Sequence, residues 1–376
     1  MGSCYRWGGA GVNRAYASAM RVTVLGLWIL ASVWFGGFYG VVYGDDGVLD
    51  HGNPMLIRDE VGQVGPVRTK DGWEVRRRRI LEGMQEVMGP LPGEERRVPL
   101  TWKVIETVEL DGFTRKRIEI AVEKGDFVPA YLLIPAGLKG RAPAVLCLHQ
   151  TTKIGKGSPA GLGDRPALFQ AVDLAKRGYV TLAPDYPYFG DSKTDPYRLG
   201  YVSATMKGIW NHMRCVDLLA SLPEVDGERI GCIGHSLGGH NTLFVAAFDR
   251  RIKACVSNCG FTSFPKYYGG NLTGWSSDKY MPRIAREYGK DPKRMPFDFP
   301  EVLAAIAPRG VMVIATTKDA NFEVSGVRDC VAAAEPVFEL LGAKGKLRAV
   351  YPEAAHEFTE EGRRAAHEFL DGQLKR

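Results

Sequence analysis

The sequence lacks the patterns that would assign it to a special structural class. Its 376 residues contain no internal repeat and no low-complexity tract. The seven cysteines form no CxxC pair and no Cys/His cluster with zinc spacing, so we predict no structural metal site. Hydrophobic residues make up 45% of the chain and charged residues 24%, which excludes disordered, collagen-like and coiled-coil proteins. The composition is typical of a globular protein with one large core.

Acidic residues are absent from the first 44 positions, which hold three of the 49 basic residues. Without that stretch the chain is close to neutral, so the formal net charge of +6 does not indicate a nucleic-acid partner, which would need a clustered basic face. The one basic run, Arg76–Arg79, lies in a helical pattern with glutamates at partner spacing. We interpret it as a solvated helix face and predict no binding of nucleic acid.

Charged residues are also absent from positions 22–44, an apolar run preceded by Met20-Arg21. A basic start, an apolar stretch and small residues near Gly44 are typical of a secretory signal, with Met20 as an alternative start to Met1. The run is also about long enough to span a bilayer, so an uncleaved anchor is the alternative. We predict residues 1–44 as a signal peptide or membrane anchor and the rest as secreted or periplasmic. Membrane contact is expected only if the segment stays attached.

The remaining chain divides by its hydrophobic periodicity. Residues 45–97 are predicted as an irregular arm followed by a helix, because Trp73, Ile80, Met84 and Val87 recur at helical spacing. Residues 98–376 are predicted as the main domain. It begins with a hairpin in which 102–110 and 113–122 flank the turn signal Asp111-Gly112.

Short apolar runs then alternate with helical patterns. This rhythm is typical of an α/β fold whose mostly parallel twisted sheet has helices on both faces. Four cysteines lie in these apolar runs or on an apolar helix face, and we predict that they are buried free thiols even though export permits disulfides. The segment 261–305 is too long for an ordinary connection and is predicted as a small cap-like insertion. The predicted strands are 144–149, 179–184, 229–235, 252–257, 311–316 and 347–351; the four cysteines are Cys147, Cys215, Cys232 and Cys255.

The strongest local signal for chemistry is the GxSxG motif at 234–238, centred on Ser236. It lies after the predicted strand 229–233 and before a helical run, which is the context of a nucleophile elbow. The turn from strand to helix is so tight that positions two before and two after the serine must lack bulk. Gly234 and Gly238 meet that requirement, so Ser236 is the predicted nucleophile.

A serine hydroxyl needs a base and a group that orients the base. Asp319 follows the strand 311–316, with Glu323 as the nearest substitute, and His356 follows the strand 347–351. Both lie at the carboxyl end of the sheet, where such folds place their sites, so we predict the triad Ser236, Asp319 and His356. The oxyanion hole is predicted to use the backbone N–H groups of Leu237 and Gln150.

Several motifs together resemble a known superfamily over residues 100–376. They are His149-Gln150 after a strand, the segment 184–192, the elbow, Ala307-Pro308-Arg309, Asp319 and His356. The chain resembles the α/β-hydrolase superfamily, within it the dienelactone hydrolase and acetyl xylan esterase-like branch. Dienelactone hydrolases use a cysteine nucleophile, whereas position 236 is serine, which favours ester hydrolysis. Many exported relatives with an N-terminal helix act on polysaccharide esters, so the resemblance implies acetyl or uronoyl esters.

The sequence therefore predicts a secreted serine carboxylic-ester hydrolase that acts through an acyl-enzyme, without a cofactor, on a short-chain or carbohydrate-borne ester. Tyr188, Phe189 and Trp275 are candidate pocket walls. One alternative is a peptidase of the prolyl oligopeptidase type, although about 100 residues before the sheet are too few for a propeller. The other is a catalytically silent hydrolase fold used as a binding module. The oligomeric state is left open.

Overall fold

A nine-stranded sheet forms the centre of the protein. The computed structural model describes residues 49–375, so the predicted signal peptide or anchor at 1–44 lies outside the described residues. A separate small pair consists of β1 (Leu56–Arg58) and β2 (Val64–Pro66). The strands of the large sheet are β3 (Trp102–Leu110), β4 (Phe113–Glu123), β5 (Asp126–Pro135), β6 (Ala142–Leu148), β7 (Val180–Pro184), β8 (Val225–His235), β9 (Ile252–Asn258), β10 (Gly310–Ile314) and β11 (Leu347–Val350).

Six strands of this sheet run parallel, as predicted. Their order is β7-β6-β8-β9-β10-β11, and β5, β4 and β3 continue the sheet antiparallel beyond β7. The predicted hairpin is confirmed: β3 and β4 are joined at Asp111-Gly112, where Gly112 has a φ of 86° that favours glycine. Strand β3 is exposed along its length, whereas β6, β7 and β10 are buried at every residue. The parallel strands therefore lie inside, covered on both faces.

Helices cover both faces of the sheet. Helices α2 and α8 contribute to one hydrophobic cluster, while α1, α3, α4, α6 and α7 contribute to a larger one. The α-helices are α1 (Lys70–Met88), α2 (Gln170–Lys176), α3 (Ala204–Ser221), α4 (Leu237–Phe248), α5 (Arg283–Arg286), α6 (Phe299–Ile306), α7 (Val324–Leu340) and α8 (Glu360–Leu374). Short 3₁₀ helices lie at Glu94–Arg96, Gly155–Gly157, Pro166–Leu168, Phe264–Gly269, Leu272–Trp275 and Pro292–Arg294.

The predicted N-terminal helix is confirmed, but only Arg78 and Arg79 of its basic run are exposed, whereas Arg76 and Arg77 are buried. Arg76 forms a buried ion pair with Glu301 of α6. Arg77 is also buried and donates to the carbonyl oxygens of Ala305 at 2.8 Å and Ala247 at 2.5 Å. The interpretation was therefore wrong for these two arginines. They occupy the buried side of α1 because carboxylate and carbonyl acceptors across the interface compensate the cost of burying a guanidinium.

His51, in the arm that precedes α1, also contacts Glu301. Its Nε2 donates to the carbonyl oxygen of Met295 at 2.8 Å, and its Nδ1 lies 2.7 Å from Oε2 of Glu301. Both ring nitrogens therefore face acceptors, which suits an imidazolium. Burial lowers the pKa of His51, but the contacts with Glu301 and the Met295 carbonyl outweigh it, so this pKa is raised above the usual value for histidine.

We expect His51→Gln to destabilise the protein more at low pH than at high pH. A raised histidine pKa stabilises the fold fully below the unfolded-state pKa, and this contribution is lost as the pH rises through the folded-state pKa. The expected loss in Tm is about 2–4 °C at pH 5.5, corresponding to about 1 kcal/mol, and it should shrink by pH 9. Thermal unfolding of both proteins between pH 5.5 and 9 measures this. An equal loss at every pH would show that His51 acts only by packing.

The described cysteines are all buried and free, which confirms the predicted thiols and adds two that the pattern did not single out, Cys259 and Cys330. Within residues 49–375, no helix combines the length and the apolar character needed to cross a membrane.

Candidate active site

The strand-to-helix turn at Ser236 has the strained geometry of a nucleophile elbow. Strand β8 ends at His235 and α4 begins at Leu237, leaving Ser236 between them with φ 56° and ψ −117°. A Cβ at position 234 would lie 2.2 Å from the backbone of Gly238, and a Cβ at 238 would lie 2.1 Å from the carbonyl oxygen of Leu148. A side chain at either position would clash with the neighbouring backbone, so both positions require glycine, as the motif predicts. The serine itself remains partly exposed.

The N-terminus of α4 and the end of β6 form the surroundings of the predicted oxyanion hole. Since α4 begins at Leu237, the N–H of that residue is among those that lack a partner within the helix, and the helix dipole favours negative charge there. A Cβ at position 238 would also lie 3.0 Å from the carbonyl oxygen of His149, so the backbone after β6 lies directly against this turn. The side chain of Gln150 is directed elsewhere, to Ser158. The predicted donor role of Gln150 thus rests on its backbone N–H and stays a prediction.

Asp319 and His356 come together from the loops after β10 and β11. His356 Nδ1 lies 2.7 Å from Oδ2 of Asp319, while Oδ1 of Asp319 accepts from the backbone N–H groups of Asn321 at 2.8 Å and Phe322 at 3.1 Å. Burial raises the pKa of the Asp319 carboxyl, but the hydrogen bonds from His356 and these amides outweigh it. The pKa of Asp319 is therefore lowered, and its carboxylate can orient an imidazole. Glu323 instead accepts from Ser325.

His235 links the elbow to His356. The two rings lie 4.8 Å apart, and Asn258 Nδ2 lies 2.6 Å from Nδ1 of His235. Burial, followed by the charges of His356 and Arg165, lowers the pKa of His235 to about 3. It is therefore neutral and supports His356 by packing, which agrees with the prediction that His356 and not His235 has the setting of a base.

A cysteine lies beside this pair. Cys259 follows β9, has a φ of 44°, and offers its sulfur within 4.8 Å of the ligand atoms of Asp319 and His356. Its Sγ lies 3.4 Å from the carbonyl oxygen of Glu357. Burial raises the pKa of Cys259 to about 11, so the group is a neutral thiol at neutral pH and not a nucleophile.

The loop after β6 is held by a buried ion pair. Lys156 Nζ lies 2.7 Å from Asp185 and 2.6 Å from Asp191, and Asp185 also accepts from the backbone N–H of Lys156 at 2.7 Å. A Cβ at Gly190 would lie 2.0 Å from Oδ1 of Asp185. Asp185, Gly190 and Asp191 of the segment 184–192 therefore have a structural role. His149 is structural too, because its Nδ1 donates to the Gln150 carbonyl and its Nε2 accepts from the N–H of Tyr186.

Ser236 opens into a cavity of about 170 Å³. The insertion predicted as a cap contributes aromatic walls to it, and Phe322, which also lines it, has its ring 5.8 Å from that of His356. Trp275 lines the cavity as predicted, with its indole Nε1 buried and unpartnered within the described residues. The residues that line the cavity are Thr151, Ser236, Leu237, His240, Tyr267, Gly274, Trp275, Tyr280, Asn321 and Phe322.

Two other predicted wall residues do not line this cavity. Tyr188 is 37% exposed and donates to Asp195, and Phe189 packs against His149 and Tyr186. The sequence pattern did not single out Asn321 and Phe322, although they lie only two and three residues after Asp319. Tyr267 and Tyr280 belong to the predicted insertion 261–305.

The sheet order and the elbow define an α/β-hydrolase fold, in agreement with the prediction. Residues 197–342 match the family model described as glucuronyl esterase, fungi. YtaP of Bacillus subtilis (strain 168) is 27% identical over 304 residues, which cover 76% of this chain and 95% of the relative. The acetyl esterase Axe7A of Xylanibacter ruminicola is 25% identical over 188 residues, which cover 44% of this chain and 40% of the relative.

A solved glucuronoyl esterase from Solibacter usitatus has the same fold. It superposes with a TM-score of 0.69 at 23% identity, covering 87% of this chain and 99% of that chain. Together these similarities confirm the resemblance to the esterase branch of the α/β-hydrolases. The matches to the glucuronyl esterase family model and to the acetyl esterase Axe7A indicate a serine carboxylic ester hydrolase.

Proposed function

We propose that this protein hydrolyses short-chain or carbohydrate-borne carboxylic esters through an acyl-enzyme, with Ser236 as nucleophile, His356 as general base and acid, and Asp319 as its orienting carboxylate. The observation that carries the proposal is the partly exposed Ser236 at a strained elbow, opening into a small cavity that Phe322 also lines. The N–H of Phe322 donates to Asp319, which is hydrogen-bonded to His356, and the Phe322 ring lies 5.8 Å from that of His356. A complete set of three groups favours an enzyme over a silent binding module.

The reaction follows from these positions. His356 takes the proton of Ser236 Oγ as the oxygen attacks the ester carbon, and the resulting oxyanion is held by backbone N–H groups, among them that of Leu237. As the carbon–oxygen bond to the alcohol breaks, His356 gives that proton to the leaving oxygen. Water then attacks the acyl-enzyme with His356 again as base, which releases the acid and restores the serine.

The cavity favours a small neutral acyl group. Its volume of about 170 Å³ lies below the range of about 300–1,000 Å³ that suits drug-sized ligands. Among the described residues, its lining contains hydroxyls, an amide and aromatic rings but no Lys, Arg, Asp or Glu. Burial lowers the pKa of the lining residue His240 to about 3, so it is also uncharged. Aromatic faces with hydrogen-bonding edges suit acetyl groups on sugars, in keeping with the similarity to the acetyl esterase Axe7A.

We also propose that the enzyme works outside the cytoplasm, in the secreted or periplasmic space or held to a membrane by residues 1–44. The support is the sequence of that segment, a basic start followed by a long uncharged apolar run. Cell fractionation followed by N-terminal sequencing of the mature protein tests this proposal.

Steady-state hydrolysis tests the substrate class. We expect kcat/KM for p-nitrophenyl acetate to exceed that for p-nitrophenyl decanoate by at least about tenfold, because a long chain does not fit the cavity. Acetylated xylan and a glucuronoyl ester are assayed beside them, with Ser236→Ala as background. Release of acetate or of the uronic acid that is lost in Ser236→Ala would support a carbohydrate ester as the substrate. Equal rates for both chain lengths would contradict the short-acyl proposal.

A further inference from the structure

A second cavity lies beside the one that contains Ser236. It has a volume of about 110 Å³, and Thr151 lines both cavities, so the two adjoin at this residue. The second cavity belongs to the loop after β6, which the buried Lys156–Asp185 ion pair holds in place. The polar residues that line it are Gln150, Thr151, Thr152, Ser158, Asp164 and Arg165.

The side chain of Gln150, which lines this cavity, is buried and has a hydrogen-bond acceptor without a partner among the described residues. Gln150 is 8% exposed, and its Nε2 donates to Ser158 Oγ at 2.8 Å. Its Oε1 has no hydrogen-bond partner among the described residues. Leaving a buried acceptor unpaired is unfavourable, so this oxygen is suited to accept from a ligand hydroxyl.

The guanidinium of Arg165, which lines this cavity, also has no partner among the described residues. Arg165 is exposed and makes no ion pair and no side-chain hydrogen bond with any residue of the stretch 49–375. Asp164 lines the same cavity without pairing with it. A guanidinium that is not engaged within the protein can bind a carboxylate through two parallel hydrogen bonds.

Arg165 lines the cavity that adjoins the one containing Ser236, since Thr151 lines both. His235, next to Ser236 in the chain, packs its ring 4.8 Å from that of His356, and the charge of Arg165, after burial and the charge of His356, lowers the pKa of His235. Since His356 is proposed to protonate the leaving oxygen, the side of the site near His356 receives the alcohol portion of the ester.

We infer that Gln150 and Arg165 form a subsite for the alcohol portion of the substrate, and that this portion is a sugar unit bearing a carboxylate. The inference rests on the proposed esterase function. Gln150 Oε1 accepts from a sugar hydroxyl, and Arg165 pairs with the carboxylate. The substrate class is therefore an acyl ester of an acidic carbohydrate, distinct from an ester in which the uronic acid is itself the acyl group.

Two matched esters test this inference on the full chain. In 4-acetoxybenzoate the leaving phenol carries a carboxylate, whereas in 4-acetoxybenzamide a neutral amide stands in its place. The quantity measured is the ratio of kcat/KM for the anionic ester to that for the neutral ester. We expect Arg165→Gln to lower this ratio about 1.5-fold to fivefold, the range for a solvent-screened charge contact. Asp164→Asn should raise the ratio.

Lys153→Gln is the matched control, because it removes a positive charge from an exposed position of the same loop that does not line the cavity. This variant should leave the ratio unchanged, and acetylated polygalacturonate compared with acetylated xylan should show the same preference as the model esters. An unchanged ratio in Arg165→Gln, with both esters still hydrolysed, would overturn the subsite and leave the esterase function standing. If the unaltered protein hydrolysed neither ester, the proposed function would fall and the subsite with it.

Discussion

Ser236→Ala is expected to lower kcat for p-nitrophenyl acetate by at least about a thousandfold, because it removes the oxygen that forms the acyl-enzyme. The folded structure should persist. Alanine keeps the small Cβ of serine, and no side-chain hydrogen bond from Ser236 contributes to the cap of α4. Activity and thermal unfolding of both proteins measure the two effects separately.

Ser277→Ala is the control for this substitution, since Ser277 is an exposed residue of the insertion that does not line the cavity. It should retain full activity. Covalent labelling by a fluorophosphonate probe adds a readout that is independent of substrate choice: the unaltered protein should be labelled and Ser236→Ala should not. An alanine variant that kept its turnover would remove Ser236 from the mechanism.

Asp319→Asn is expected to reduce kcat/KM by about 10⁴-fold, the size of effect known for the equivalent change in other triads. The hydrogen bonds of Asp319 explain why. Oδ1 accepts from the backbone N–H groups of Asn321 and Phe322, so an amide oxygen in the variant would keep that place and its NH₂ would face His356. The His356 Nδ1 would then have to accept a hydrogen bond, which puts the ring proton on Nε2. Such a tautomer cannot take the proton of Ser236.

Glu323→Gln provides the comparison for this prediction, because Glu323 is the nearest other carboxylate considered from the sequence and bonds to Ser325 instead of His356. It should retain most of the activity. Comparable losses in the two variants would show that Asp319 is not the orienting group. Histidine ¹⁵N chemical shifts of Asp319→Asn would report the change of tautomer directly.

Local signals identified much of the site. A tight strand-to-helix turn can form only where glycines allow the backbones to approach, so the positions of Gly234 and Gly238 mark the elbow without knowledge of the fold. Continuous apolarity in β6, β7 and β10 likewise follows from burial on both faces of the sheet. Asp319 and His356 could be predicted because residues after parallel strands meet at one edge.

The predictions that were wrong concern the direction in which side chains point. The helical pattern at Arg76–Arg79 with nearby glutamates was read as an exposed face, but Glu301, far along the chain, is the partner of Arg76. Tyr188 and Phe189 were predicted as pocket walls, yet they do not line the Ser236 cavity. Side-chain direction in an irregular loop depends on its packing partners and leaves no periodic pattern.

By itself, the sequence determined the α/β architecture, the elbow and the residues available for the triad, because each depends on local backbone geometry or on the alternation of buried and exposed positions. Only the tertiary structure decided which walls enclose Ser236 and that Gln150 and Arg165 lie together in an adjoining cavity. The Ser236 cavity is lined by residues from several separate segments, so its volume and polarity depend on how these segments pack against one another. The cavity of Gln150 and Arg165 lies within one irregular loop, whose conformation depends on buried contacts such as the Lys156–Asp185 ion pair.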